Sequence, residues 1–207
     1  MSAEDQVEEL EGRRALVYVG GSIAAVKAGD VITLLRRRGA ETRVAMTHSA
    51  THFITPLSLQ SLSGHPVVTD LFEETHGRGR GPRPILEGAA GHGMEHLNLA
   101  EWAEVQVAVA ASANLIARLA LGLADDAVTA TALACRAPLV IAPAMETAMW
   151  EHPATQDHVS TLSGRGVVLV GPVTGRLASG HEAMGRMAAP AEIVDLVAAV
   201  ITASARG

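Results

Sequence analysis

The chain is poor in cysteine and in aromatic residues, and each scarcity excludes a class of protein. Cys135 is the single cysteine among 207 residues, so one chain cannot form an internal disulfide or a cysteine-based metal cluster. Aromatic residues make up only 2% of the chain, which removes the usual stacking surface for single-stranded nucleic acid. Any redox chemistry therefore requires a bound cofactor.

Positive charge and long apolar runs are scarce as well. The formal net charge is -6, which leaves no basic footprint for nucleic acid. No apolar run reaches membrane-spanning length, and the N-terminal residues are acidic where a signal peptide would be basic and then apolar. The nine histidines lack the spacing of a metal site. These features predict a cytoplasmic protein that binds no nucleic acid, membrane or catalytic metal.

The composition favours a single domain. The length and the 48% hydrophobic content suffice for one substantial core. We expect a single domain over residues 13–204, preceded by an acidic tail, residues 1–12, that has no clear apolar face. Residues 74–93, rich in Gly, Arg, Pro and His, predict a surface excursion, either a lid or an irregular loop.

Short apolar runs alternate with helical patterns along the chain. The first run, residues 15–19, is followed by Gly20, Gly21 and Ser22, and Ser22 can cap a helix that ends at Gly39. Further strand candidates are residues 42–46, 105–111, 139–141 and 167–170, and the last helix places Ile193, Leu196, Val197, Val200 and Ile201 on one stripe. This alternation predicts an α/β fold with a mainly parallel sheet covered on both faces.

Small polar residues follow three of the predicted strands. They are Gly21, Ser22 and Ile23 after the first strand, Thr47, Ser49 and Phe53 after the second, and Ser112, Ala113 and Asn114 after the run at 105–111. Ligands bind at the carboxyl ends of parallel strands, where helix N-termini favour anions. Helix capping explains each cluster taken alone, but three clusters together favour a phosphorylated cofactor. The spacing G-x-G-x-x-G is missing, which argues against a standard NAD site.

A longer set of motifs gives a specific resemblance. From about Arg14 to Ile201 the chain contains, in order, Gly21-Ser22-Ile23-Ala24-Ala25, Thr47 with His52-Phe53, His96 to Trp102, Ser112-Ala113-Asn114, Pro143 to Trp150, and Gly185-Arg186-Met187-Ala188. With this set the chain resembles the homo-oligomeric flavin-containing cysteine decarboxylases, which include phosphopantothenoylcysteine decarboxylase and the peptidyl-cysteine decarboxylases of lanthipeptide biosynthesis.

The resemblance implies a fold, a cofactor and a set of site residues. The fold would be a flavodoxin-like (Rossmann-type) three-layer α/β sandwich, and the cofactor would be FMN. His96 would act on substrate protons beside the flavin, a role suited to a group that titrates near working pH. The flavin site would be lined by Ser22, Thr47, Phe53, Ser112, Asn114 and Ala144. Members of this family form trimers, sometimes assembled into dodecamers, with the active site at subunit contacts, so we expect a homo-oligomer.

Met145, Glu146 and Ser179 would bind the substrate, and the sequence departs from the family pattern at the last two. Glu146 stands where the family usually has an asparagine that contacts the substrate carboxylate. An ionised glutamate repels a carboxylate and offers no amide donors. Three alternatives remain open: the glutamate is protonated, its side chain turns outward, or it contacts a different group of the substrate. Ser179 stands where phosphopantothenoylcysteine decarboxylases have a proton-donating cysteine. A serine hydroxyl is a far weaker acid than a thiol.

These departures set the order of the functional hypotheses. The first is FMN-dependent oxidative decarboxylation of a peptide C-terminal cysteine, or a similar thiol acid, to an enethiol, because that reaction does not need the cysteine that Ser179 replaces. Residues 74–93 and 172–185 could act as mobile clamps on a peptide. The second is phosphopantothenoylcysteine decarboxylation in coenzyme A biosynthesis. The third is a catalytically silent, flavin-binding regulatory subunit, which Glu146 and Ser179 favour and His96 opposes. A generic flavin reductase is the fourth. Cys135 is expected to be a buried small residue.

Overall fold

A parallel sheet forms the centre of the protein, for which the computed structural model describes residues 9–71 and 95–204. The strands are β1 (Arg14–Val19), β2 (Glu41–Met46), β3 (Val67–Val68), β4 (Val105–Ala111), β5 (Leu139–Pro143) and β6 (Val168–Leu169), followed by β7 (Val173–Arg176) and β8 (Glu182–Arg186). The first six strands pair in parallel in the order β3-β2-β1-β4-β5-β6. β7 and β8 form a separate antiparallel hairpin.

Helices cover both faces of the sheet. They are α1 (Ala28–Arg37), α2 (Pro56–Ser63), α3 (Glu95–Trp102), α4 (Ala113–Leu121), α5 (Ala127–Ala134), α6 (Thr147–Trp150), α7 (Pro153–Gly164) and α8 (Pro190–Ser204). Two short 3-10 helices, Ile23–Lys27 and His48–His52, follow β1 and β2. The predicted three-layer α/β sandwich is therefore confirmed, and its strand order is that of the Rossmann-type sheet.

Alternation along β1 explains the three layers. Successive side chains of a strand point to opposite faces, and here both faces are buried. Val17 and Val19 join the core formed with α1 and α8, whereas Leu16 and Tyr18 join the core formed with α4 and α5. Because neither face of the central strands meets water, these strands are continuous apolar runs in the sequence.

The predicted elements agree with the structure at the centre and differ at the margins. The run at 105–111 is β4 as predicted, while the helix after Ser22 begins with a 3-10 turn before α1. β3 has no counterpart among the predicted strands, because two residues carry too little pattern. The predicted excursion at 74–93 lies outside the described residues, and the tail boundary stays a prediction. At the end of that tail, Leu10 is fully buried.

Candidate functional site

The strand order places a crevice between two groups of loops. It reverses between β1, which pairs with β2 on one side, and β4, which pairs with β5 on the other. Ligands of open α/β sheets bind at the carboxyl ends of the strands at such a reversal. The loops that leave β1, β2, β4 and β5 at this edge contain every strand-end cluster singled out in the sequence.

Backbone hydrogen bonds tie these loops to one another. The Thr47 N–H donates to the Val19 carbonyl at 3.1 Å, and the Gly20 N–H donates to the Val109 carbonyl at 3.0 Å. On the other side, the Ala144 N–H donates to the Ala111 carbonyl at 3.0 Å. The four loops therefore hold fixed positions relative to one another, as a preformed ligand site requires.

The glycine turn after β1 permits a close approach of neighbouring loops. A Cβ on Gly20 would lie 2.6 Å from the Ala110 carbonyl oxygen. A Cβ on Gly21 would lie 2.4 Å from the Ser49 Cβ. Neither contact is possible for a larger residue without moving backbone, so the glycines set how closely the loops after β1, β2 and β4 pack.

Ala110 marks an irregularity at the end of β4. Its φ of 57° is in the left-handed region, which costs a non-glycine residue about 1–2 kcal/mol. The pairing register between β4 and β5 shifts between Ala108 and Ala111. Such backbone strain concentrates at functional sites, and here it lies two residues before Ser112.

Three of the predicted cofactor residues cap the helices that start at this edge. The Ser22 hydroxyl accepts the Ala24 N–H at 3.2 Å, and the Ser112 hydroxyl accepts the Leu115 N–H at 3.3 Å. Thr47, which is buried, accepts the Ala50 N–H at 3.2 Å. The capping role is therefore present, and it brings the N-terminus of α4, with its positive end of the helix dipole, to the edge of the sheet.

A cavity of about 600 Å³ opens beside these loops. Its lining comprises Ser22, Ile23, Ala24, Val26, Lys27, Ala144, Met145, Glu146, Arg176, Leu177, Ala178, Gly185, Arg186 and Met187. The structure therefore brings together five of the predicted site residues, namely Ser22, Ile23, Ala144, Met145 and Glu146. The others do not line this cavity; they are Gly21, Thr47, Ser49, Phe53, Ser112, Ala113, Asn114, His96 and Ser179.

The hairpin of β7 and β8 forms one wall of the cavity. The Met145 N–H donates to the Gly185 carbonyl at 3.0 Å, and the Thr147 hydroxyl donates to the Met184 carbonyl. Gly185 has a φ of 139°, and a Cβ there would lie 2.2 Å from the Met145 carbonyl oxygen. Only glycine allows β8 to pass this close to Met145, which explains the glycine at the start of the motif Gly185-Arg186-Met187-Ala188.

The two departures from the family pattern contact each other. The Glu146 carboxylate accepts the Ser179 N–H at 3.2 Å through Oε1 and the Ser179 hydroxyl at 2.9 Å through Oε2. Glu146 is half-buried and Ser179 is exposed. The carboxylate is thus turned toward the hairpin, which is one of the orientations that the sequence left open.

Three cationic side chains on the cavity were not singled out from the sequence. Lys27, Arg176 and Arg186 line it, and within residues 9–71 and 95–204 none of them has a carboxylate within 4.0 Å. Arg186 belongs to the motif Gly185-Arg186-Met187-Ala188, and that motif was the one feature of the sequence that could have indicated any of the three as a site residue. Unpaired cations around a cavity favour an anionic ligand.

His96 lies near the start of α3 and is half-buried. Its Nδ1 atom is buried and has no hydrogen-bond partner in the described part of the chain. A buried polar atom without a partner is rare in folded proteins and is explained by strain, by a bound water or ligand, or by a catalytic role. Thr42 Oγ1 and Arg43 Nε share this property among the described residues. A single copy of the chain does not bring His96 to the cavity.

Cys135 lies away from this site. It ends α5 and lines a second cavity of about 370 Å³ together with Gln106, near the start of β4 and therefore at the opposite edge of the sheet. Burial raises the pKa of its thiol above the ordinary value. The expectation that Cys135 is buried is wrong: its side chain is half-buried, because it stands at the end of α5 on the wall of this cavity. It does not replace the cysteine that is absent at Ser179.

Neither a metal cluster nor a membrane span is found in the described ranges. Within residues 9–71 and 95–204, no three His, Cys, Asp or Glu side chains are grouped so that they could hold a metal ion. Among the same residues, no helix has the length and hydropathy needed to cross a bilayer.

Comparisons with known proteins assign this chain to a family. A family model described as Flavoprotein matches residues 3–202. The coenzyme A biosynthesis bifunctional protein CoaBC of Vibrio vulnificus (strain YJ016) is 40% identical over 190 residues, which are 92% of this chain and 44% of that protein. The chain thus spans less than half the length of this relative.

Two solved structures have the same fold over almost the whole chain. The FMN-dependent cysteine decarboxylase SpaF superposes with a TM-score of 0.75 and 31% identity, covering 95% of this chain and 99% of SpaF. A cysteine-to-serine mutant of PPC decarboxylase complexed with pantothenoylaminoethenethiol superposes with a TM-score of 0.74 and 32% identity. The match covers 95% of this chain and 100% of the PPC decarboxylase chain.

The site and the matches together define the class of protein: a Rossmann-type α/β flavoprotein whose structural neighbours include cysteine decarboxylases. The chain belongs to the Flavoprotein family.

Proposed function

We propose that this chain binds FMN and catalyses the oxidative decarboxylation of a cysteine-derived thiol acid to an enethiol. The observation that carries the proposal is the cavity where the loop after β1 meets the segment after β5. It joins Ser22 to Ala144, Met145 and Glu146 and adds three cationic side chains. The fold and sequence of SpaF and PPC decarboxylase support the same chemistry.

The residues at the strand ends fit a phosphorylated flavin. Gly20 and Gly21 let the loops after β1, β2 and β4 pack closely at this edge. The N-terminus of α4, capped by Ser112, adds N–H groups suited to an anion. The residues that would hold the cofactor are Gly21, Ser22, Ile23, Thr47, Ser49, Phe53, Ser112, Ala113, Asn114 and Ala144. When bound, FMN supplies a two-electron acceptor beside the substrate thiol.

The chain's own residues would bind the anionic substrate and move its proton. Lys27, Arg176 and Arg186 are available to attract a carboxylate or phosphate, since none of them pairs with a carboxylate in the described chain. His96 is the proposed acid/base group, and its unpartnered Nδ1 has a free lone pair or proton for this role. Met145 lines the same cavity.

Ser179 decides how far the reaction proceeds. The thiol acid loses carbon dioxide, two electrons and two protons to give the enethiol. Returning the electrons to reach the saturated thiol needs a proton donor, and a serine hydroxyl is a far weaker acid than the thiol of a cysteine. The Ser179 hydroxyl is moreover already donated to Glu146. We therefore expect the enethiol as the released product.

Two substrates fit this chemistry. A peptide with a C-terminal cysteine is our first candidate, because formation of the enethiol completes that reaction. Phosphopantothenoylcysteine is the second, and two observations favour it: the 40% identity to CoaBC and the three cations on the cavity, which suit a substrate carrying both phosphate and carboxylate.

A second copy of the chain would complete the site. His96 does not line the cavity of one chain, whereas the apolar side chains of Ile23 and Val26 are 58% and 51% exposed at its rim. Phe53, which is also exposed, stands at the end of the adjacent 3-10 helix. We propose a homotrimer, formed through this apolar surface, that can serve as the unit of a dodecamer.

The test is the accurate mass of the product after incubation of the purified flavoprotein with phosphopantothenoylcysteine and, separately, with a cysteine-terminated peptide. Loss of carbon dioxide plus two hydrogens supports the proposal. The compound that is converted faster identifies the substrate as a cysteine-terminated peptide or as phosphopantothenoylcysteine. Loss of carbon dioxide alone contradicts the role given to Ser179. A protein that stays yellow and leaves both compounds unchanged would be the silent subunit instead.

A further inference from the structure

The turn of the β7–β8 hairpin is held by one side chain from outside the hairpin. Residues 177–181 make two internal backbone hydrogen bonds, from the Leu177 N–H to the His181 carbonyl at 2.8 Å and from the Gly180 N–H to the Leu177 carbonyl at 3.0 Å. Across the described chain, the hydrogen bonds that tie these residues to another element are the two that Glu146 accepts from Ser179.

The hairpin is attached differently at its base. There the Met145 N–H donates to the Gly185 carbonyl and the Thr147 hydroxyl donates to the Met184 carbonyl. These hydrogen bonds do not involve the side chains of Glu146 or Ser179. The turn can therefore lift while the base stays in place, and among the described residues the only hydrogen bonds to another element that must break are the two to the Glu146 carboxylate.

The position of the turn matters because it covers the cavity. Leu177 and Ala178, which precede Ser179 directly, are lining residues, as is Arg176 at the end of β7. When Glu146 holds Ser179, these three residues close one side of the space that faces Ser22. Releasing Ser179 would widen that side.

The same contact also fixes the charge distribution of the cavity. Among the described residues that line it, Glu146 has the only carboxylate, while Lys27, Arg176 and Arg186 are cationic. Both Glu146 oxygens are directed at Ser179 rather than at a cation. The carboxylate therefore stabilises the closed hairpin and leaves all three cations free to attract an anionic ligand.

From these contacts we infer that Glu146 and Ser179 form a latch: it holds the hairpin turn over the cavity, and an anionic substrate enters only when it opens. This inference rests on the proposed function for the identity of the substrate, but the latch itself does not. Glu146 thus acts as a positioning residue that sets how fast substrates enter, rather than as a group in the chemical step.

Hydrogen exchange tests the latch without any substrate. In the flavin-loaded protein, E146A removes both acceptors, and amide exchange in residues 176–181 should become about tenfold faster. E146Q keeps an acceptor for the Ser179 N–H and a donor for its hydroxyl, so the increase should be smaller. E182A is the matched control, because Glu182 is an exposed carboxylate on the same hairpin with no side-chain bond to the turn among the described residues. Unchanged exchange in E146A would overturn the latch.

Substrate entry is tested separately. Rapid mixing of each variant with phosphopantothenoylcysteine, followed by flavin absorbance, should show a several-fold faster association in E146A and a smaller gain in S179A, which loses one of the two bonds. Faster exchange without faster association would overturn the role in substrate entry. Faster exchange in E146A with no absorbance change in any form, the unmutated protein included, would instead support the latch and contradict the proposed function.

Discussion

The Cα of Gly21 lies against Ser49 so closely that a Cβ on the glycine would be 2.4 Å from the serine Cβ. G21A must therefore separate the loops after β1 and β2, at an overpacking cost of about 1–3 kcal/mol. We expect the variant to fold less stably and to lose most of its FMN during purification. Flavin absorbance per chain and urea unfolding measure the two effects.

The control for this substitution is G164A. Gly164 ends α7, and no atom lies within 4 Å of a Cβ placed there. Its replacement should leave the flavin content unchanged and keep or slightly raise stability, since alanine favours a helix over glycine by about 1 kcal/mol. Equal flavin content in G21A and G164A would show that the loops tolerate a side chain at Gly21.

Ser112 and Thr55 offer a matched pair of helix caps. Ser112 caps α4 at the proposed cofactor site, and Thr55 caps α2 by accepting the Ser58 N–H at 3.1 Å. Replacing either by alanine should lower the free energy of unfolding by about 1 kcal/mol. Only S112A should also weaken FMN binding, which titration of the apoprotein measures. If T55A weakens binding equally, the loss reflects general destabilisation.

The layered fold was predictable because its central strands are buried on both faces. Runs such as 105–111 must be apolar at every position, so they stand out from the helices that alternate with them. β7 and β8 lack such a run: their residues alternate between buried and exposed, and Gly175 and Gly185 interrupt them. The sequence predicts only a mobile clamp at 172–185, whereas the structure has an antiparallel hairpin.

The site was predictable where its residues directly follow parallel strands. Ser22, Thr47 and Ser112 could be placed at one edge because parallel strands end on the same side. The contact between Glu146 and Ser179 joins residues 33 positions apart, and no local pattern specifies it. The same reason explains why Lys27, Arg176 and Arg186 were not singled out: they converge only when the hairpin folds over the loop after β1.

Replacement of His96 separates catalysis from cofactor binding. H96N removes the proposed acid/base group, and such groups contribute about 10²–10⁴-fold. We expect product formation to fall by a factor in that range, while the flavin content is unchanged. H65N is the control, because His65 Nε2 lies 3.2 Å from Glu41 Oε1 at the surface and His65 is not part of the proposed site. An H96N variant as active as H65N would exclude His96 from the chemical step.

A buried polar pair joins β1 to the start of β4, and neither of its residues lines the cavity of the proposed site. The Tyr18 hydroxyl donates to Gln106 Oε1 at 2.8 Å, and Gln106 Nε2 donates to the Ala137 carbonyl. Burial, with a smaller contribution from Cys135, raises the pKa of Tyr18 well above its ordinary value, so the phenol stays a donor.

Y18F leaves Gln106 Oε1 buried without its partner and should cost about 1–3 kcal/mol. The double variant Y18F/Q106M removes both partners and should lose less than the sum of the single variants. Urea unfolding of the three variants measures the coupling, with flavin content as a check that the site is intact. Additive losses would show that the two side chains do not interact.

Cys135 allows a pH-dependent prediction at a single position. Burial raises the pKa of its thiol, so the folded protein keeps this proton at a pH where the unfolded chain, with an ordinary cysteine pKa of about 8.5, begins to lose it. The contribution to stability is therefore complete below that pH and declines as the pH rises through the raised value.

Because the thiolate is the reactive form, iodoacetamide at pH 8.5 should modify the folded protein more slowly than the protein in urea. The mass increase reports this residue alone, since the chain has no other cysteine. Equal rates in the two states would show that the thiol is neither shielded nor shifted in the fold.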